Sequence, residues 1–175
     1  MHNTLPTAGA TRMLLSSDGS TTTLLEALLD ERLAVRVDTQ GPVPAGQLYP
    51  RAAQALGLKR GEEAIERRSA LLAPDGSVVS VNVVVFAAPP DGWSGSADDD
   101  APLGRRLREA GTRQHRRILS SGLAEWPGEV AHQTCAYKEY VISCGDESQL
   151  YVHEKFNPAF VAARAPLPAA AGLAA

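Results

Sequence analysis

One glutamate near the end of the chain, Glu154, has the sequence environment of a buried acid. Val152, Glu154 and Phe156 fall on one face of an alternating segment, because side chains alternate along a strand. A carboxylate enclosed between apolar side chains would have a raised pKa and could handle a proton or a hydroxyl group of a ligand. The alternative is a solvated glutamate on an edge strand, which residue statistics alone favour because most glutamates are exposed.

Two adjacent arginines and one asparagine are further candidates on strands. Arg67 and Arg68 point to opposite faces of one strand, so only one of them can face an interior site. A guanidinium group can hold a carboxylate through two hydrogen bonds, but a surface pair beside Glu62 and Glu66 is an equally good interpretation. Asn82 interrupts a run of valines, and an unpaired buried amide costs about 1–3 kcal/mol, so we expect its side chain to face a ligand.

Helix starts supply the other candidates. Thr21 and Thr22 lie at the start of the first predicted helix, where their hydroxyl and amide groups could bind an anion. Capping alone is an equally good explanation for these two threonines. Leu103 begins a later predicted helix. Its side chain could form the apolar wall of a ring-binding pocket, belong to the core, or do both. The four histidines are scattered, so we expect no metal site.

The composition is that of one ordinary globular domain. The chain has 175 residues, of which 44% are hydrophobic and 21% charged. A net charge of −3 and a pI of about 5.8 argue against a nucleic-acid partner. No apolar run approaches the roughly 20 residues that span a bilayer, and no secretory pattern is present, so we expect no membrane partner and a cytoplasmic location. Cys135 and Cys144 are too few for a disulfide framework and fit a reducing compartment.

Hydrophobic periodicity predicts an α+β fold, an antiparallel sheet with flanking helices. Small polar residues precede an apolar stripe at 21–30, which predicts a capped helix. Gly41-Pro42 should end the first strand, and Pro74-Asp75-Gly76 should turn between two β-rich arms. Strands joined by hairpins pair antiparallel. The remaining predicted elements are a short helix at 50–58, the hairpin at 63–73 and 78–87, a helix at 102–110, a strand at 113–120 and a hairpin at 135–144 and 149–156.

The sequence divides into three segments. We expect a flexible leader at 1–11, a single domain at 12–161, and a disordered, Ala/Pro-rich tail at 162–175. Residues 88–101 contain Pro89-Pro90 and Asp98-Asp99-Asp100, which predicts an exposed loop or a mobile flap within the domain.

Four segments, in the same order, resemble the chorismate lyase-like family. The similarity extends over about residues 12–161, nearly the whole chain. The segments are Leu14-Leu15-Ser16-Ser17-Asp18-Gly19-Ser20 with the following Thr21 to Glu26, the hairpin from Arg67-Arg68 to Asp75-Gly76, Pro102-Leu103-Gly104, and the closing hairpin with Tyr140-Val141-Ile142-Ser143 and His153-Glu154-Lys155-Phe156.

The resemblance implies an antiparallel sheet whose helices and loops close over an internal pocket. It also implies a lyase that removes pyruvate from chorismate and leaves 4-hydroxybenzoate, with no metal or organic cofactor. By their matches to the family, Glu154 would assist at the ring hydroxyl, Arg68 would hold a carboxylate, and Leu103 would pack against the ring. The predicted catalytic residues are thus Glu154 and Arg68, and the predicted substrate-binding residues are Asn82, Leu103, Thr21 and Thr22.

Asn82 keeps other functions open. It falls near the position where lyases of this family carry an arginine for a substrate carboxylate, and an amide supplies no charge. This favours a second hypothesis, a natural-product tailoring enzyme, such as a cyclase or an eliminating enzyme, with a less charged substrate. A third hypothesis is a non-catalytic ligand-binding domain, since sensor domains of some transcription regulators share the fold; it ranks last because we find no helix-turn-helix pattern ahead of the domain. In each case we expect a small anionic or cyclic ligand and a monomer or small homo-oligomer.

Overall fold

Six strands form one antiparallel sheet in the computed structural model, which describes residues 8–91, 101–127 and 133–165. The order across the sheet is β1-β2-β3-β6-β5-β4. The predicted α+β fold class is therefore confirmed. The strands are β1 (Ala34–Pro44), β2 (Glu63–Leu72), β3 (Val78–Phe86), β4 (Gln114–Glu125), β5 (Thr134–Cys144) and β6 (Gln149–Phe156).

Within these described ranges, four α-helices and one 3-10 turn accompany the sheet. The helices are α1 (Ala8–Ser16), α2 (Thr21–Leu29), α3 (Ala52–Ala55) and α4 (Leu103–Glu109), and the 3-10 turn is Ala45–Gln47. Helix α2 begins as predicted, because Ser20 caps it by accepting a hydrogen bond from the Thr23 amide. Helix α1 begins inside the segment that the sequence predicts to be a leader, and burial of Leu14 and Leu15 holds it on the domain.

The two predicted hairpins form as expected, with β3 in the interior of the sheet. β3 pairs with β2 on one side and with β6 on the other, which explains its nearly unbroken valine run. β1 differs from the prediction, because it continues past Gly41-Pro42 to Pro44. β1 is an edge strand, where a proline without an N–H group costs no ladder hydrogen bond.

The two faces of the sheet carry different layers. Helices α1, α2 and α4 cover one face, here called the helix face, over two separate apolar clusters. The chain from 45 to 58 packs on the opposite face, over a third cluster that includes Val85 and Tyr151. Within the described ranges, no helix is long and apolar enough to cross a membrane. The predicted exposed loop at 88–101 and the tail lie largely outside these ranges.

Candidate functional site

A row of polar side chains crosses the helix face between its two apolar clusters. Ser69, Asn82, Glu154 and Lys138 are direct partners across β2, β3, β6 and β5, so neighbours in the row lie about 5 Å apart at their Cβ atoms. Ser80 Oγ donates to Asn82 Oδ1 at 3.1 Å, which leaves the Asn82 amide nitrogen as its donor. Glu154 and Lys138 are only 6% and 1% exposed. Buried polar groups in this number need partners that the apolar clusters do not supply.

A cavity of about 50 Å³ lies above this row, below the first residues of α2 and α4. Leu103 and Tyr140 supply apolar wall, and Arg116 supplies a positive charge. Of the residues predicted from sequence, five line this cavity: Thr21, Thr22, Asn82, Leu103 and Glu154. The fold therefore brings together residues that are far apart in the chain, on two helices and two strands.

Arg68 does not lie in this cavity. Its side chain is on the opposite face of the sheet, 52% exposed, and its guanidinium donates to Glu66 Oε1 at 2.7 Å. Arg67 is the arginine on the helix face, where it donates to Gln40 Oε1 at 2.9 Å. The structure thus reverses the predicted choice between the two arginines.

Arg116 is a site residue that the sequence interpretation missed. It lies on β4 within the cationic run Arg113-Gln114-His115-Arg116-Arg117, which otherwise suggests a solvated strand end. Its Nη2 donates to Gln114 Oε1 at 2.6 Å. Its Nε is buried and has no hydrogen-bond partner among the residues that the structure describes. The available signal was strand alternation, because Arg116 shares its face with Ile118 whereas Arg117 is exposed.

The first turn of α2 lies at the cavity, with Thr21 and Thr22 in its lining. The first intrahelical hydrogen bond runs from the Leu24 amide to the Ser20 carbonyl at 3.0 Å, so the Thr21 and Thr22 amides precede the helical ladder. Such amides, together with the helix dipole, favour an anion at this position. Thr21 is 3% exposed, and its Oγ1 is buried without a well-formed hydrogen bond in the described part of the chain.

Gly104 permits the close approach of α4 to this helix start. A Cβ atom at position 104 would lie 2.9 Å from Ser20 Oγ and 3.7 Å from Arg116 Nη2. A side chain here would push against the α2 cap. The two helices are also joined by Arg105 Nη2, which donates to Glu26 Oε1 at 2.7 Å, and by Arg108 Nη2, which donates to Thr23 Oγ1 at 3.0 Å.

Glu154 carries the acidic chemistry of the cavity. Burial raises the pKa of its carboxyl group, while the hydroxyls of Thr21 and Tyr140 and the cations Lys138 and Arg116 act in the opposite direction. Burial, with the Glu154 charge nearby, also raises the pKa of Tyr140 well above its usual value. Glu154 Oε2 is buried and has no hydrogen-bond partner within the described residues. This carboxyl group can therefore accept a hydrogen bond from a ligand, or donate one when it is protonated.

Lys138 supports the site from beneath. Its Nζ donates to the carbonyl oxygens of Leu14, at 3.2 Å, and of Ser17, which close the end of α1. Burial lowers the pKa of this lysine, and the Glu154 charge partly offsets the effect. Lys138 thereby fixes the segment between α1 and α2 to the sheet. In the sequence it looks like an ordinary surface lysine, and only its alternation with Ala136 and Tyr140 indicates the helix face.

The site suits ligand binding by hydrogen bonds and charge. The start of α2 and the Arg116 guanidinium supply its positive elements, and Glu154 and Asn82 supply a carboxyl group and a side-chain amide. Among the residues that the structure describes, no group of three or more His, Cys, Asp or Glu side chains could hold a metal ion.

Several solved structures that share this fold are named as transcriptional regulators or as effector or ligand-binding domains. The effector domain of PhnF from Mycobacterium smegmatis matches with a TM-score of 0.60 at 17% identity, covering 86% of this chain and 96% of that chain. A transcriptional regulator from Streptomyces coelicolor matches with a TM-score of 0.56 at 21% identity, covering 74% and 89%. The ligand-binding domain of a GntR-family transcriptional regulator from Bordetella bronchiseptica matches at 0.52 and 14% identity, covering 78% and 91%. No protein-family model matches the chain, and no curated protein matches it.

These comparisons correct the functional prediction. The predicted membership of the chorismate lyases, the pyruvate-removing reaction and the assignment as an enzyme are wrong, because the matching structures are named as transcriptional regulators and their effector or ligand-binding domains. The error has a physical origin: lyases and regulator domains can share this sheet, and a shared fold does not determine activity. The tailoring-enzyme hypothesis is set aside on the same ground.

Proposed function

We propose that this domain binds a small molecule with a compact anionic group in the helix-face cavity, without transforming it. The observation that carries the proposal is a set of three buried polar atoms at the cavity, Thr21 Oγ1, Arg116 Nε and Glu154 Oε2, none of which makes a well-formed hydrogen bond in the described ranges. The Thr21 hydroxyl lies close enough to the Glu154 carboxyl group to lower its pKa, but this contact leaves both groups able to pair with a ligand. An unpaired buried polar group costs about 1–3 kcal/mol. A ligand that forms hydrogen bonds with these atoms would offset that cost and would explain why three of them surround one cavity.

The two sides of the cavity would hold different parts of the ligand. The anionic group would lie against the Thr21 and Thr22 amides and the Arg116 guanidinium, which are the positive elements of the site. Glu154 would take a hydroxyl or amine group of the ligand, and Leu103 would contact its apolar part. A volume of about 50 Å³ has room for roughly four water-sized groups, which suits a carboxylate or a phosphate.

The regulator structures support a role in ligand sensing. One of them is an effector domain and another is a ligand-binding domain, which agrees with the third of the hypotheses that the sequence leaves open. A signal could reach the rest of the domain through the start of α2. An anion there would contact the start of α2. Lys138 fixes the chain just before this point to the sheet through the Ser17 carbonyl, and Gly104 of α4 packs closely against the Ser20 cap.

Titration calorimetry with inorganic phosphate and with acetate, at constant ionic strength, tests this function. Arg116→Met should weaken anion binding roughly 10- to 100-fold, since hydrogen bonds to charged groups contribute about 1.5–3 kcal/mol. The matched control is Arg117→Met, one residue away on the same strand but exposed, which should bind as the wild type does. Equal affinities for the wild type and Arg116→Met would refute the assignment.

A further inference from the structure

A second cavity lies on the opposite face of the sheet, with a volume of about 250 Å³. It is formed by the outward sides of β2, β3 and β6 and by the chain that follows the 3-10 turn. The residues that matter for its chemistry are Tyr49, Arg68, Val81, Val83, His153 and Lys155. The proposed function does not use this cavity, because the helix-face site lies on the other side of the same strands.

One wall of this second cavity is aromatic and firmly held. Tyr49 Oη and His153 Nε2 are hydrogen-bonded at 2.9 Å, and their ring centroids lie 4.4 Å apart. The His153 ring also stacks on Tyr137, at 5.6 Å between centroids and 19° between planes. Contacts on two sides bury the His153 ring and hold the partly exposed Tyr49 ring in place, so Tyr49 offers a pre-organised surface for a planar group. Val81 and Val83 provide the apolar surface next to it.

Two cations border the same cavity. Arg68 is half exposed and uses part of its guanidinium on Glu66, which leaves further N–H donors for a ligand. Lys155 Nζ donates to the backbone carbonyl of Glu125 at 3.0 Å, so this contact does not neutralise its charge. Three carboxylates lie close by: Asp38 lines the cavity and is bonded to Arg36 at 2.8 Å, Glu66 pairs with Arg68, and Glu139 Oε1 lies 3.8 Å from His153 Nε2. The groups in the lining that can take an anion are therefore the Lys155 ammonium and the remaining N–H donors of Arg68.

We propose that this cavity is a second ligand site, specific for a single-ring carboxylic acid. The ring would lie against Tyr49, which His153 supports from behind, and against the two valines, and the carboxylate would pair with Lys155 and Arg68. The volume supports one ring, because drug-sized ligands occupy pockets of about 300–1,000 Å³. An aromatic acid has both features that the cavity offers partners for, a planar apolar body and one negative charge.

Benzoate titration in an Arg116→Met background tests this site apart from the first one. We expect saturable binding, with amide NMR shifts centred on Val81, Val83 and Lys155, and at least tenfold weaker binding of acetate. Adding Lys155→Met should lower benzoate affinity at least tenfold, whereas adding the control Lys59→Met, at an exposed lysine, should leave it unchanged.

The proposal would be overturned by an absence of saturable benzoate binding in a folded Arg116→Met protein, or by binding that Lys155→Met does not weaken. A refutation of the helix-face cavity as a ligand site would give a different result. Phosphate shifts at Thr21 and Thr22 in the single variant Lys155→Met report on the helix-face cavity alone, so each site can fail without the other.

Discussion

Acid should destabilise this protein through one buried histidine, His153. The side chain is 4% exposed, and burial, aided by the Lys155 charge, lowers its pKa from 6.5 to about 4. The folded-state pKa thus lies below the unfolded one. The neutral imidazole therefore contributes stability that is fully present above pH 6.5 and is lost as the pH falls toward 4.

The size of this effect follows from the two pKa values. The difference between 6.5 and about 4 corresponds to about 3 kcal/mol of unfolding free energy. Linkage places about 2 kcal/mol of that loss between neutral pH and pH 5, because the unfolded histidine already binds a proton there while the folded one does not.

Urea denaturation at a series of pH values measures this directly. The variant His153→Gln keeps an amide nitrogen near the Tyr49 hydroxyl but cannot titrate, so its stability should fall by about 2 kcal/mol less than that of the wild type between pH 7 and pH 5. The difference between the two curves reports on His153 in its surroundings, which include the buried Glu139 with Oε1 at 3.8 Å from His153 Nε2. The control His115→Gln, at an exposed strand position, should follow the wild type. Parallel curves for His153→Gln and the wild type would refute the reasoning.

Two further substitutions probe the support of the helix-face cavity. Gly104→Ala places a Cβ atom 2.9 Å from Ser20 Oγ, so we expect loss of the α2 cap, about 1 kcal/mol of stability, and weaker phosphate binding by calorimetry. The control Gly46→Ala has no heavy atom within 4 Å of the added Cβ and should bind phosphate as the wild type does. Equal phosphate affinities of Gly104→Ala and Gly46→Ala would contradict the role given to Gly104. Lys138→Met leaves two backbone carbonyls without their donor and should lower the unfolding free energy by about 2–3 kcal/mol in urea, whereas an unchanged midpoint would show that the buried ammonium contributes nothing.

Local signals in the sequence were enough for most of the fold. The turn residues Pro74-Asp75-Gly76 fixed the first hairpin, and the cap at Ser20 fixed the start of α2. The end of β1 could not be predicted from local signals. A proline breaks a central strand but is tolerated on an edge strand, and whether a strand lies at the edge depends on the order of the whole sheet.

The site was harder to predict because its parts depend on strand faces and on contacts between distant segments. On β2, both faces carry apolar residues, Ile65 and Leu71 on one and Ala64 and Ala70 on the other, so alternation does not decide which arginine points inward. Arg116 and Thr21 line one cavity only because the fold brings β4 and the start of α2 to the same face of the sheet. No spacing in the sequence encodes that proximity.

Amide NMR during a phosphate titration tests whether the helix-face cavity is the ligand site. We expect saturable shifts of the Thr21 and Thr22 amides, which Arg116→Met abolishes and Arg117→Met leaves intact. Saturable binding that leaves these two amides unperturbed, or that survives Arg116→Met unchanged, would contradict the helix-face cavity as the ligand site.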